Sequence, residues 1–204
     1  VFITFEGIDG SGKSTQITHL RDHLEGKGAE VEVFRDPGGP EVSEKVRDIL
    51  LNPNYEVDPV TELLLFSAAR SQLVAEEVLP ALQAGSVVIL DRFYDSTTAY
   101  QGYGRGSLPL NEIDRMNRIA SHKRRPDLTI YMKVSLEEAK KRMGEKHRDR
   151  MEQSGDTFFQ KVIAGFDEMS TTKERFFTVD ATQSPEKVQQ QIWNHVQTHF
   201  LRRG

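Results

Sequence analysis

Apolar positions recur along the chain with a period of two in some stretches and of three to four in others, and the changes of period mark out its elements. The first run, Val1–Glu6, is apolar and β-branched and stops at a glycine-rich stretch, which predicts a short buried strand. From Lys13 to about Gly26, Ile17, Leu20 and Leu24 recur at helical spacing, and Gly26 and Gly28 end the pattern, so a helix follows. Val31–Arg35 predicts the next strand. Beyond the turn-rich run Asp36 to Pro40, helices are expected over Val42–Leu51 and from Pro59 to about Ala84, where Pro80 marks a kink or a restart. Val87–Leu90 reads as a wholly apolar strand. Helical patterns occupy roughly Ser96–Gln101 and Leu110–Ser121, then come a strand over Leu128–Lys133 and a helix from Leu136 to Met143. Gly144–Gly155 breaks the period. Phe158–Met169 resumes as helix, Phe176–Val179 is a last strand, and Pro185–Phe200 closes the chain as a helix with proline at its first position.

Five strands separated by helices predict a doubly wound α/β fold with a five-stranded parallel sheet flanked by helices, because parallel neighbours need crossover connections that helices supply. The 204 residues are expected to form a single domain. Ligands of such sheets gather at the carboxyl ends of the strands, which directs attention to the residues after Glu6, Arg35, Leu90 and Lys133.

Composition narrows the partners. Against 31 acidic residues stand 27 Lys and Arg, giving a formal charge of −4 and a pI of about 5.9, so a broad duplex-binding surface is not expected and a polyanion must be gripped locally. No apolar run approaches the ~20 residues of a bilayer span, so no membrane association is expected. The absence of cysteine removes disulfides, thiolate metal sites and a thiol nucleophile. The opening run is too short for a secretory h-region, and a cytoplasmic location is expected.

Gly7 to Ser14 matches G-x-x-x-x-G-K-[ST] between a predicted strand and a predicted helix. Small residues there let successive backbone N–H groups face a polyphosphate at the positive end of a helix. Lys13 would bridge the terminal phosphates, and the Ser14 hydroxyl would reach a magnesium ion. The motif predicts ATP or GTP binding without naming a reaction. A regulatory GTPase would use the same loop, and Asp36-Pro-Gly-Gly39 imitates a switch motif, but the chain has no N-K-x-D for reading guanine. It carries instead Asp91-Arg92 after an apolar strand, Arg35 at another strand end, and Arg70 within the long helix. Arginines on one rim suit a second, phosphorylated substrate, although each alone could simply pair with a surface carboxylate. Lys140–Arg150 contains six basic residues and two acids, which fits either a solvated face or a lid over phosphates, at about 142–155.

FEGIDGSGKST at the start, RDPGGP at 35–40, LLFSAARSQL at 64–73, DRFYDSTTAYQGYGRG at 91–106, RPDLTIYMKV at 125–134 and DRMEQ at 149–153 together resemble the thymidylate kinase family of P-loop nucleoside-monophosphate kinases. The resemblance implies transfer of the ATP γ-phosphoryl group to dTMP, with Mg²⁺, in a homodimer. It implies ATP binding by Gly7, Ile8, Asp9, Gly10, Ser11, Gly12, Lys13, Ser14 and Thr15. Phe66 would stack on thymine, Arg70 would bond the base, and Thr97 and Gln101 would read its polar edge. Tyr100 would exclude a 2′-hydroxyl, Arg92 and Arg35 would hold the acceptor phosphate, and Asp9 would sit between acceptor and metal. Asp91 with Ser14 would hold magnesium, and a kinase for another monophosphate is the nearest alternative. The chain departs from the family pattern at Asp36, where glutamate is usual, at Pro40 for threonine, and at Phe93 for tyrosine or histidine. At Gly10 one branch carries arginine, so the catalytic arginine is expected from the lid: Arg148 or Arg150 first, Arg142 less so.

Overall fold

The computed structural model describes residues 1–144 and 149–201. Its sheet is five-stranded and wholly parallel, in the order β2-β3-β1-β4-β5. The strands are β1 (Phe2–Glu6), β2 (Val31–Arg35), β3 (Val87–Asp91), β4 (Leu128–Lys133) and β5 (Phe176–Asp180). Side-chain alternation assigns the faces. Ile3, Phe5, Ile89, Ile130 and Val179 join one buried cluster with Ile17, Leu20, Val162, Phe166 and Ile192, whereas Phe2, Val88 and Leu90 pack on the other face with Leu73, Val74, Val78 and Phe93. Both faces are thus covered, as a parallel sheet requires.

The helices are α1 (Lys13–Glu25), α2 (Glu41–Leu51), α3 (Pro59–Leu73), α4 (Leu79–Ala84), α5 (Tyr94–Thr97), α6 (Leu110–Ala120), α7 (Leu136–Met143), α8 (Asp156–Thr172) and α9 (Pro185–Val196). Asp58 caps α3 by accepting from Val60 and Thr61 N–H, and Ser135 and Ser184 cap α7 and α9. The long helical stretch expected to kink or restart at Pro80 widens into a π turn over Val74–Val78 and restarts as α4, with Pro80 in its first turn. Proline cannot donate to the ladder, and the Leu79 N–H returns five residues to the Val74 carbonyl. A second π segment, Thr98–Gly104, continues α5, so the helix expected over Ser96–Gln101 starts earlier and is wound more loosely. The closing helix likewise passes into a π segment, over Gln197–Leu201. None of the described helices is long and apolar enough to cross a membrane.

Candidate active site

The loop from Gly7 to Gly12 joins β1 to α1 at the carboxyl edge of the sheet. Gly10 has φ +80°, and a Cβ there would lie 2.5 Å from the Ala139 carbonyl oxygen of α7. A side chain at this position would be strained by the backbone conformation and would need the α7 backbone to shift. Lys13 is buried at the head of α1 and donates to the Gly7 and Ile8 carbonyls at 3.1 and 3.2 Å. Burial first, then repulsion from Arg92, lowers its ammonium below the usual lysine value.

Two cavities meet at this edge. One, of about 420 Å³, is lined by Asp9, Gly10, Lys13, Ser14, Thr15, Asp91, Arg92, Arg35, Arg47 and Arg142. The other, of about 100 Å³, is lined by Phe66, Arg70, Ser96, Thr97, Tyr100, Gln101, Asp149 and Met151. They share Asp9, Asp36, Arg47 and Arg92. An arginine- and lysine-lined cavity roomy enough for a polyphosphate thus opens onto a smaller one walled by an aromatic ring and convergent polar groups.

Arg92 sits at the junction in a left-handed conformation, φ +70°. Its Nη1 donates to Gly7 O at 2.8 Å and to Ser96 Oγ at 3.2 Å, its Nη2 to Asp9 Oδ1 at 2.7 Å, and its guanidinium lies 5.2 Å from the centre of the Tyr100 ring. Glu6, buried at the end of β1, accepts from Phe93 N–H at 2.8 Å and from Ser96 Oγ at 2.6 Å and so anchors the turn that carries Arg92. Burial first, then the neighbouring Asp95 carboxylate, pushes the Glu6 carboxyl up to about 8. Desolvation at the cavity mouth works against charge on Asp9, yet Arg92 and then Lys13 hold its carboxyl down to about 2. Burial pushes the Tyr100 phenol well above its usual range, with the Arg92 guanidinium the first neighbour to oppose it.

In the smaller cavity Arg70 is buried on α3. Its Nε donates to Asp36 Oδ2 at 2.5 Å, its Nη2 to Thr97 Oγ1 at 2.7 Å, and its Nη1 to Asn117 Oδ1 at 3.4 Å. Asp36, with no exposed side-chain surface, is thus the partner that aims Arg70. Phe66 is half-buried beside it, packed on the main core.

Most of the site residues named from the sequence line the two cavities, and two of the arginines are placed differently from expectation. Arg35 borders the larger cavity, but its Nη2 donates to both carboxylate oxygens of Glu44 at 2.9 Å and its side chain is 56% exposed. The short helical reach from β2 to α2 gives it a local partner. Arg150 lies away from the phosphate loop, with Nε donating to Leu50 O at 2.7 Å and Nη1 paired with Glu62 Oε2 at 2.6 Å. A carboxylate buried on α3 outcompetes the open cavity for this guanidinium. Arg142 lines the larger cavity, where its Nη2 donates to Ala181 O and its Nε to Glu138. Arg148 lies outside the described residues. Arg47 on α2 was not singled out from the sequence, yet it borders both cavities and donates to Pro37 O at 2.7 Å. Its only sequence signal is a basic residue one turn before the buried Leu50.

A family model described as thymidylate kinase matches residues 5–192. The chain belongs to the thymidylate kinase family. A thymidylate kinase of Prosthecochloris aestuarii is 46% identical over 100% of this chain and 95% of its own length, and one of Chlorobaculum parvum is 45% identical over 97% and 95%. A crystal structure of thymidylate kinase from Ehrlichia chaffeensis superposes with a TM-score of 0.79 at 32% identity, covering 97% of this chain and 98% of that one. Magnesium fits the donor set of the larger cavity: Asp91 Oδ1 is buried without a hydrogen-bond partner among the described residues, and Ser14 lines the same space.

Proposed function

We infer that the chain transfers the γ-phosphoryl group of ATP to dTMP, giving dTDP and ADP. The single observation that carries this reading is the junction at Arg92, where a phosphate-loop cavity and a cavity for a flat polar ligand share their walls. ATP enters through the loop Gly7–Thr15, with Lys13 turning from its backbone carbonyls to the β- and γ-phosphates. Thymine lies on Phe66, within reach of Arg70, Thr97 and Gln101, and the deoxyribose sits against Tyr100. The acceptor phosphate displaces part of the Arg92–Asp9 pair and is held by Arg92, with Arg47 as the second cation in place of Arg35. An acceptor phosphate oxygen then forms its bond to the γ-phosphorus as the bond to the β–γ bridging oxygen breaks, and ADP leaves with that electron pair.

Such a transition state is loose, so positioning and charge stabilisation do most of the work and no dedicated base is required. Mg²⁺, when bound by Ser14 and Asp91, supplies charge neutralisation on the polyphosphate. The segment at about 142–155 acts as a lid on one domain spanning 1–204. Arg142 is its cation at the phosphates, which its place in the cavity wall supports over Arg150. A homodimer is supported by the large apolar side chains exposed on α2 (Val42, Ile49) and on α3 (Val60, Leu64).

Replacing Lys13 by Met is expected to leave a folded protein whose kcat falls by roughly 10²–10³, the usual worth of a cation aimed at transition-state charge. ADP release in a coupled assay reads the loss, and near-native turnover would remove Lys13 from the mechanism.

A further inference from the structure

Glu62 belongs to α3 and lines neither cavity, yet three side chains from two distant parts of the chain converge on its fully buried carboxylate. Arg150 Nη1 of the lid segment lies 2.6 Å from Oε2, Arg105 Nε lies 3.2 Å from Oε1, and Gln101 Nε2 donates to Oε1 at 2.9 Å. Gripped by two guanidiniums, this carboxylate only accepts hydrogen bonds. Gln101 must therefore give it the amide NH₂. The other half of the amide, Oε1, accepts no hydrogen bond among the described residues, on a side chain that lines the base cavity. Turning the amide over would set a carbonyl oxygen against a carboxylate oxygen and cost the buried Glu62 Oε1 one of its two donors, leaving only Arg105 Nε.

We propose that Glu62 is a specificity-determining residue, which locks the Gln101 amide so that an acceptor, and not a donor, faces the base. The proposal rests on the reading that this cavity receives the base of a nucleoside monophosphate. Arg70 offers that base donors only. The edge complementary to a donor beside an acceptor is a carbonyl oxygen beside a ring N–H, as thymine and uracil present. Cytosine presents an amino group and a bare ring nitrogen, so it meets donor with donor and acceptor with acceptor. A guanidinium cannot reverse its polarity, but an amide can by a half-turn. Without Glu62, Gln101 is free to serve cytosine.

The test is kcat/KM of Glu62→Gln for dTMP, dUMP and dCMP, since an amide at position 62 can meet Gln101 in either orientation. The dTMP:dCMP ratio is expected to fall about tenfold while the dTMP:dUMP ratio moves by less than about twofold, because dUMP keeps the same polar edge and lacks only the methyl group. Equal losses on all three acceptors, an unchanged dTMP:dCMP ratio, or a matching shift in the dTMP:dUMP ratio would overturn the proposal and leave Glu62 a tie for the lid. Gln101→Leu, measured alongside, must itself lower the dTMP:dCMP ratio, and adding Glu62→Gln to it must lower the ratio no further. An unchanged ratio in Gln101→Leu removes the reading of the cavity, and the proposal with it. If Glu62→Gln does not fold, Glu62→Asp withdraws the acceptor while keeping the charge, and an unchanged dTMP:dCMP ratio there is equally decisive against the proposal.

Discussion

Two arginines of the site are held by carboxylates in opposite surroundings. The Arg92–Asp9 pair is open to solvent on the Asp9 side, with 41% of that side chain exposed, whereas Arg70 and Asp36 are sealed from water. Burial pushes the Asp36 carboxyl above its usual value, and Arg70 is the neighbour that most opposes this. Removing Arg70 strands a buried carboxyl. Arg70→Ala is therefore expected to cost about 3–5 kcal/mol of stability as well as the base contact, and urea unfolding at neutral pH measures it. A loss under about 1 kcal/mol would show that Asp36 finds other partners. The same pair marks a limit of the sequence. Arg70 and Asp36 were both visible in their motifs, but their contact joins the end of β2 to the last turn of α3, and no local period records it. Arg47 and Arg150 show the limit from the other side, because a basic residue on an amphipathic helix or in a charge run looks the same whether it faces solvent, a cavity or a buried carboxylate.

The elements were largely legible because each one obeys a local rule. β1, β3 and β4 are mainly apolar runs buried almost throughout, as strands covered on both faces must be, and the phosphate loop needs glycine where the backbone takes positive φ or passes close to a neighbour. The π segments were not legible, since a ladder that slips by one residue leaves the hydrophobic pattern almost intact. Glu6 escaped for a different reason: an acid ending an apolar strand reads as the strand's boundary, whereas here it is a buried anchor for the turn of Arg92. Its carboxyl titrates near 8 in the fold against 4.5 as the unperturbed value, so the folded state keeps a proton that the unfolded chain has released. Its contribution to stability is complete below about 4.5 and is lost as pH rises towards about 8. Asp9 acts in the opposite sense, but its contribution is lost only as pH falls from 3.8 towards about 2. Unfolding free energy measured across the Glu6 window should accordingly decline with pH in the wild type, and Glu6→Gln should flatten that decline. An identical slope in both proteins would place the titration elsewhere.

For the whole molecule, the parallel sheet turns every strand end to one edge, and the crossovers bring residues from distant parts of the chain onto two joined cavities. Lys13 follows β1, Asp91 and Arg92 close β3, Arg47 comes from α2, and Arg142 reaches the same space from α7. The arrangement suits two phosphate-bearing ligands end to end, and the smaller cavity sets Arg70, a donor, beside Gln101, whose Oε1 accepts no hydrogen bond among the described residues. The most direct measurement of the central claim is ADP release from ATP with dTMP, dUMP, dCMP, AMP and GMP in turn, and with no acceptor. dTMP is predicted to give the highest kcat/KM, with negligible release when no acceptor is present. A higher kcat/KM for dCMP, AMP or GMP, or ADP release that needs no acceptor, would contradict the account.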